Sequence, residues 1–117
     1  MKTTRTPHMM WGRKVYMELL DEIKKRCEGF PLYSQENVSD PTIRVKLCFP
    51  IGKAAWYISE YDSVTMIAFG YVTGLAYDEW GYVSIRELLE AKIADTFSIM
   101  IDPMFKPMKV SCLGIVR

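Results

Sequence analysis

Histidine is nearly missing, since His8 is the single one among 117 residues. It stands beside Pro7 in an aperiodic stretch, so no serine or cysteine nucleophile has an imidazole positioned as its base. Cysteine is scarce too. Cys27, Cys48 and Cys112 are odd in number, far apart and without a neighbouring histidine, which argues against a disulfide framework and a zinc site. Glycine and proline, seven and six, are too few for collagen or a low-complexity tract. No run of about 18 apolar residues exists, so no helix is long enough to span a membrane. The first ten residues are polar, unlike a signal-peptide core, and a cytoplasmic location is expected. Charge of one sign is missing as well: 15 Lys and Arg face 14 Asp and Glu, for a net charge of +1. Long-range attraction to nucleic acid or anionic lipid is therefore not expected. Gly70, Gly74 and Gly81 are too widely spaced for a phosphate-cradling loop, and no cofactor or metal is called for.

Half of the residues are apolar, enough for one domain over residues 1–117 with a real core. Residues 1–9 lack periodicity and read as a flexible arm. From Met10 to Cys27, Trp11, Val15, Leu19, Ile23 and Cys27 recur every four residues, the stripe of an amphipathic helix. Gly29 and Pro31 stop it. Ile43, Val45, Leu47 and Phe49 alternate with Arg44, Lys46 and Cys48 as a half-buried strand. Ala54–Tyr61 follows as its hairpin partner, placing Trp56 and Ile58 on one face and Tyr57, Ser59 and Tyr61 on the other. Thr65–Val72 is apolar on both parities, as a covered central strand is, and Gly70 within it marks a bulge or a close approach. After a short strand at Trp80–Val83, Ser84 and Glu87 form a capping box that starts a helix at Ile85, expected to end near Ala94. Phe97–Ile101 and Lys109–Leu113 read as further strands. The expected fold is α+β: an antiparallel meander sheet of about five strands packed with the N-terminal helix and the second short helix.

The segments Pro31–Glu36 (Pro-Leu-Tyr-Ser-Gln-Glu), Trp56–Asp62, Phe69–Val72 and Glu79–Ser84 with Glu87 and Leu88 resemble, in order and spacing, a small bacterial family of unknown function. That family is frequent on plasmids, integrative elements and phages. The likeness covers roughly residues 30–90; the long first helix and the Ile-Ala-Asp-Thr-Phe-Ser stretch after the second depart from its usual pattern. The resemblance implies a mobile-element setting and names no activity.

Four groups of residues could carry chemistry. Glu60 with Asp62, and Asp78 with Glu79, would supply paired carboxylates if the meander brought them together, as a glycosidase or a metal-assisted hydrolase requires. Acids beside turns more often cap and solvate them. Tyr57, Tyr61 and Tyr71 with Arg44 and Lys46 could stack single-stranded bases, although aromatics at strand spacing normally pack the interior. Cys27 follows Lys24, Lys25 and Arg26, cations that lower a thiol pKa, although a buried cysteine is inert. Finally, Pro103 and Pro107 would hold Met104, Phe105 and Met108 outside any regular element as an exposed interface patch.

Parity and loop position gather a candidate binding rim at one end of the sheet from Tyr33, Glu36, Glu60, Tyr61, Asp62, Asp78 and Trp80, against the plainer reading that its aromatics plug the sheet end. The expected function is that of a small, non-enzymatic, protein-binding accessory or counter-defence factor of a mobile element. A carboxylate-dependent hydrolase and a single-stranded nucleic-acid binder are the alternatives. Residues 57–90 hold six acidic side chains and one basic, Arg86. If that stretch imitates a phosphate backbone, the protein partner is a DNA-handling enzyme; a second copy of the chain is the other candidate partner.

Overall fold

The structure is a computed structural model and describes residues 15–93 and 97–115. Helix α1 covers residues 15–26. It turns Tyr16, Leu19, Leu20 and Ile23, with Cys27 just beyond, onto the core, and leaves Val15 exposed. The expected start of the helix at Met10 and the arm at residues 1–9 lie outside the described residues. An i, i+4 ion pair of 2.7 Å joins Glu22 to Arg26 on the outer face. The chain leaves the helix through Gly29, whose φ of +86° only glycine adopts without cost. Arg44 then closes the helix end from outside, its Nε donating to the Arg26 carbonyl at 3.0 Å while the guanidinium lies over the Phe30 ring. A cation at a helix C-terminus also complements the helix dipole.

The main sheet is antiparallel and five-stranded, with β5 (Glu79–Ser84), β4 (Ile67–Thr73), β3 (Ala55–Asp62), β2 (Val45–Cys48) and β8 (Met100–Ile101) side by side in that order. Its meander consists of β2, β3, β4 and β5, and β8 returns to pair with β2. The α+β class stands as expected, and the alternation holds along β2 and along β3 as far as Ile58. Gly70 is a point of close approach: a Cβ there would overlap the Tyr57 carbonyl oxygen. Short ribbons complete the fold, β1 (Thr42–Ile43) with β9 (Met108–Lys109), and β6 (Lys92–Ile93) with β7 (Phe97–Ser98). Helix α2 (Ile85–Glu90) begins at the capping box, where Ser84 Oγ accepts from the Glu87 amide at 3.3 Å. It ends at Glu90 rather than near Ala94, because Ala91 turns to extended backbone to enter β6. The expected last strand over Lys109–Leu113 is instead two residues of β9 and a 3-10 turn, Val110–Leu113, closed by Gly114 at φ +72°.

Two apolar clusters result. The larger lies between the two helices and the inner sheet face and contains Ile23, Val45, Leu47, Trp56, Ile58, Ala68, Ile85 and Leu88. The smaller joins Ile43, Phe105 and Val110 to Tyr57 and Trp80. Tyr57 alternates with Trp56 and Ile58 along β3, so the second cluster covers the opposite sheet face. The stretch after β8 is thus a strap over that face. Asp102 ties it to β2, its amide donating to the Lys46 carbonyl at 2.9 Å and its carboxylate pairing with Lys46 at 3.4 Å. Asp40 holds its far end through the Ser111 amide and hydroxyl.

Candidate functional site

The site is built on an irregularity in β3. Register against β4 shifts between Ile58 and Glu60, leaving Ser59 as a bulge whose hydroxyl donates to the Phe69 carbonyl at 3.1 Å. A bulge adds one residue to its strand, so parity reverses beyond it. Ser59 and Tyr61 accordingly do not face outward with Tyr57 as strict alternation requires. Tyr61 is 6% exposed and belongs to the main core, and Glu60 takes the other face.

Glu60 is 3% exposed. Its Oε1 accepts from the Tyr33 amide at 2.7 Å and its Oε2 from the Gln35 amide at 2.9 Å. The turn after α1 can offer both amides because Tyr33 adopts φ +73°, a left-handed conformation seldom taken by an aromatic residue. Gln35 secures that turn, its Nε2 donating to the Thr42 and Ser59 carbonyls at 2.8 Å and its Oε1 accepting from the Thr42 amide at 2.7 Å.

From this anchor an aromatic strip runs across the outer face of β4 and β5. Tyr33 meets Tyr82 edge-on at 6.4 Å, and Tyr82 leans on Phe69 at 4.9 Å. Phe69 stacks on Trp80 at 5.7 Å, and Trp80 meets Tyr71 at 5.3 Å. Register explains the order, since Phe69 lies opposite Tyr82 and Tyr71 opposite Trp80. Tyr33 and Tyr82 are 61% and 57% exposed. Between them, Glu36, Glu60 and Phe69 complete a recess of about 210 Å³. The Tyr82 phenol is held above its ordinary pKa, first by desolvation, then by its hydrogen bond with the Tyr33 hydroxyl and by the negative charges of Glu60 and Glu36.

The structure therefore brings Tyr33, Glu36 and Glu60 together and joins Trp80 to them through Phe69. It does not gather the other acids. Asp62 closes the β3–β4 turn by accepting from the Val64 amide and the Thr65 hydroxyl, and Asp78 closes the β4–β5 hairpin by accepting from the Gly74 amide. These turns lie at opposite ends of β4, about 20 Å apart at 3.3 Å per residue, so the two carboxylate pairs do not converge. Among the described residues no three His, Cys, Asp or Glu side chains form a group able to hold a metal ion. The tyrosine platform is covered at its β2 side, where Phe105 packs on Tyr57 and Lys46 lies over the same ring. Arg44 is engaged at the end of α1 instead.

The expected Met104, Phe105 and Met108 patch is also divided. Phe105 is 8% exposed in the second cluster and Met108 pairs with Ile43, which leaves Met104 exposed. The two prolines bend the strap but do not lift it from the sheet. Cys27 is buried in the core, and burial raises its thiol pKa to about 12 against a smaller opposing pull from Arg44. Three residues of the site escaped the sequence reading: Phe69, Tyr82 and Gln35. Pairing β4 with β5 by their alternation would have placed the first two side by side; no local signal marks Gln35, whose partners Thr42 and Ser59 lie 7 and 24 residues away.

Among the described residues no helix is long and apolar enough to cross a membrane. No curated protein and no solved structure matches the chain. A family model described as a protein of unknown function (DUF2958) matches residues 13–112, taking in α1 and the strap as well as the sheet. The chain belongs to the DUF2958 family.

Proposed function

We propose that this is a small, non-enzymatic, protein-binding domain that serves a mobile element in the cytoplasm as an accessory or counter-defence factor. The mobile-element part rests on the family resemblance alone. The binding part is carried by one observation: the aromatic strip ends in two tyrosines more than half exposed on a sheet whose other face is filled by core. Aromatic side chains with an apolar body and a polar tip, held on a rigid element, are what protein interfaces use as anchors. The carboxylates that a hydrolase would need are engaged in turns at opposite ends of β4, or, for Glu60, in holding the Tyr33–Gln35 turn. A DNA-handling enzyme suits the acidic run of residues 57–90 as partner.

Affinity capture from the native host tests the reading with wild-type protein beside a Tyr33→Ser, Tyr82→Ser variant. A partner retained by wild type and lost by the folded variant is the expected result, and added salt should loosen the complex if its recognition is electrostatic. Capture unaffected by the double substitution would refute the strip as the docking surface. A second copy of the chain as the retained species would turn the reading to a homodimer.

A further inference from the structure

Glu60 is a carboxylate taken almost wholly out of water. Two backbone amides satisfy part of its hydrogen-bonding capacity, yet among the described residues no lysine or arginine pairs with it. A buried charge without an opposite charge is costly, and the cost falls when a cation arrives beside it. The space next to it is shaped for one. Phe69, Tyr82 and Tyr33 line the recess with rings inclined to one another by about 60° (Phe69 to Tyr82 58°, Tyr33 to Tyr82 61°). Rings so inclined wall the recess from different directions instead of forming a single flat stacking plane. Glu36 adds a second carboxylate at the rim, and among the described residues no basic one lines the recess.

We infer that this recess receives a cationic side chain, lysine or arginine, projecting from the protein partner. The inference rests on the protein-binding reading and names the chemistry of its central contact. A cation over aromatic faces is attracted by the ring quadrupoles, most strongly where water is excluded. The recess, at about 210 Å³, falls below the roughly 300 Å³ at which drug-sized sites begin, and is of a size for one side-chain head group. A hard metal ion is a poorer fit, since calcium takes about six to eight oxygen ligands and both Glu60 oxygens already accept amides.

Titration of the whole protein with Nα-acetyl-arginine amide and Nα-acetyl-lysine amide, followed by NMR of the aromatic ring protons, tests it without the partner. Nα-acetyl-citrulline amide, close to arginine in shape and uncharged, is the control. The expected result is a saturable millimolar response of Tyr33, Phe69 and Tyr82 to at least one of the two cations, with citrulline much weaker. Glu36→Gln and Tyr82→Leu, both at exposed positions, should each weaken it by about fivefold. Glu60 is left intact because it holds the turn. No response to either cation, or an equal response to citrulline, would overturn the inference. If that happens while partner capture still depends on Tyr33 and Tyr82, the docking strip stands and its cationic contact falls. If the cations bind but capture is indifferent to those tyrosines, the strip falls as the docking surface and takes the partner-borne side chain with it.

Discussion

At Gly70 the β3 backbone passes so close that an added Cβ would overlap the Tyr57 carbonyl oxygen and stand 2.9 Å from the Ile58 Cα. Because backbone would have to move, Gly70→Ala is expected to cost about 3 kcal/mol or more. Its register partner Gly81 has open space at the same position, and Gly81→Ala should change stability by less than about 0.5 kcal/mol. Urea denaturation midpoints compare the two; equal midpoints would mean that the strands can part without penalty. Two other residues govern the alkaline side. Burial raises both the Cys27 thiol, from 9.0, and the Tyr61 phenol, from 10.0, to about 12 in the folded protein. The unfolded chain releases these protons first, so their stabilising contribution is complete below about pH 9 and is lost as pH rises towards 12. Urea midpoints should therefore fall between pH 8 and pH 11, and less steeply in Cys27→Ala. A flat profile would contradict this burial.

Among the elements, β3 and the strap contribute most to the site. The Ser59 bulge places Tyr61 in the core and Glu60 under the Tyr33 turn, so one unpaired residue decides which of these two neighbours packs inside and which holds the site. The strap covers Tyr57 with Phe105, and of the aromatic strip it is Tyr33 and Tyr82 that stay more than half exposed. Phe105→Ala is expected to destabilise the fold by about 3 to 5 kcal/mol, the usual loss for a buried phenylalanine. Met104→Ala, at an exposed neighbour, should stay within about 0.5 kcal/mol. Thermal and urea unfolding of the two variants test the assignment; similar losses would mean that Met104, too, is packed. Local capping was legible in the sequence, since Ser84 and Glu87 lie three residues apart. The strap was not, because prolines mark where a regular element ends and say nothing of what the chain then lies upon.

At the scale of the molecule, charge is balanced in sum and uneven in place. The first 30 residues hold seven basic and four acidic side chains, whereas residues 57–90, which supply most of the sheet, hold six acidic and one basic. Duplex DNA should therefore bind weakly, with no submicromolar affinity at about 150 mM salt. Filter binding decides it, and specific submicromolar retention would reverse the choice between nucleic acid and protein as partner.

The α+β class, the stop of α1 at Gly29, the β2–β3 hairpin and the start of α2 were all settled by the sequence. Each depends on side-chain periodicity or on groups within a few residues of one another, and such terms act in any context that buries one face. Only the tertiary structure decided which acids belong to the site. Glu60 meets the Tyr33 amide across 27 residues of chain, and Tyr82 meets Phe69 through strand register. The reversal of parity at Ser59 decides where Glu60 and Tyr61 point, and it exists only in the pairing of β3 with β4. Contacts of this kind carry no local spacing, because the free energy that fixes them comes from burying the whole sheet and not from the segments it joins.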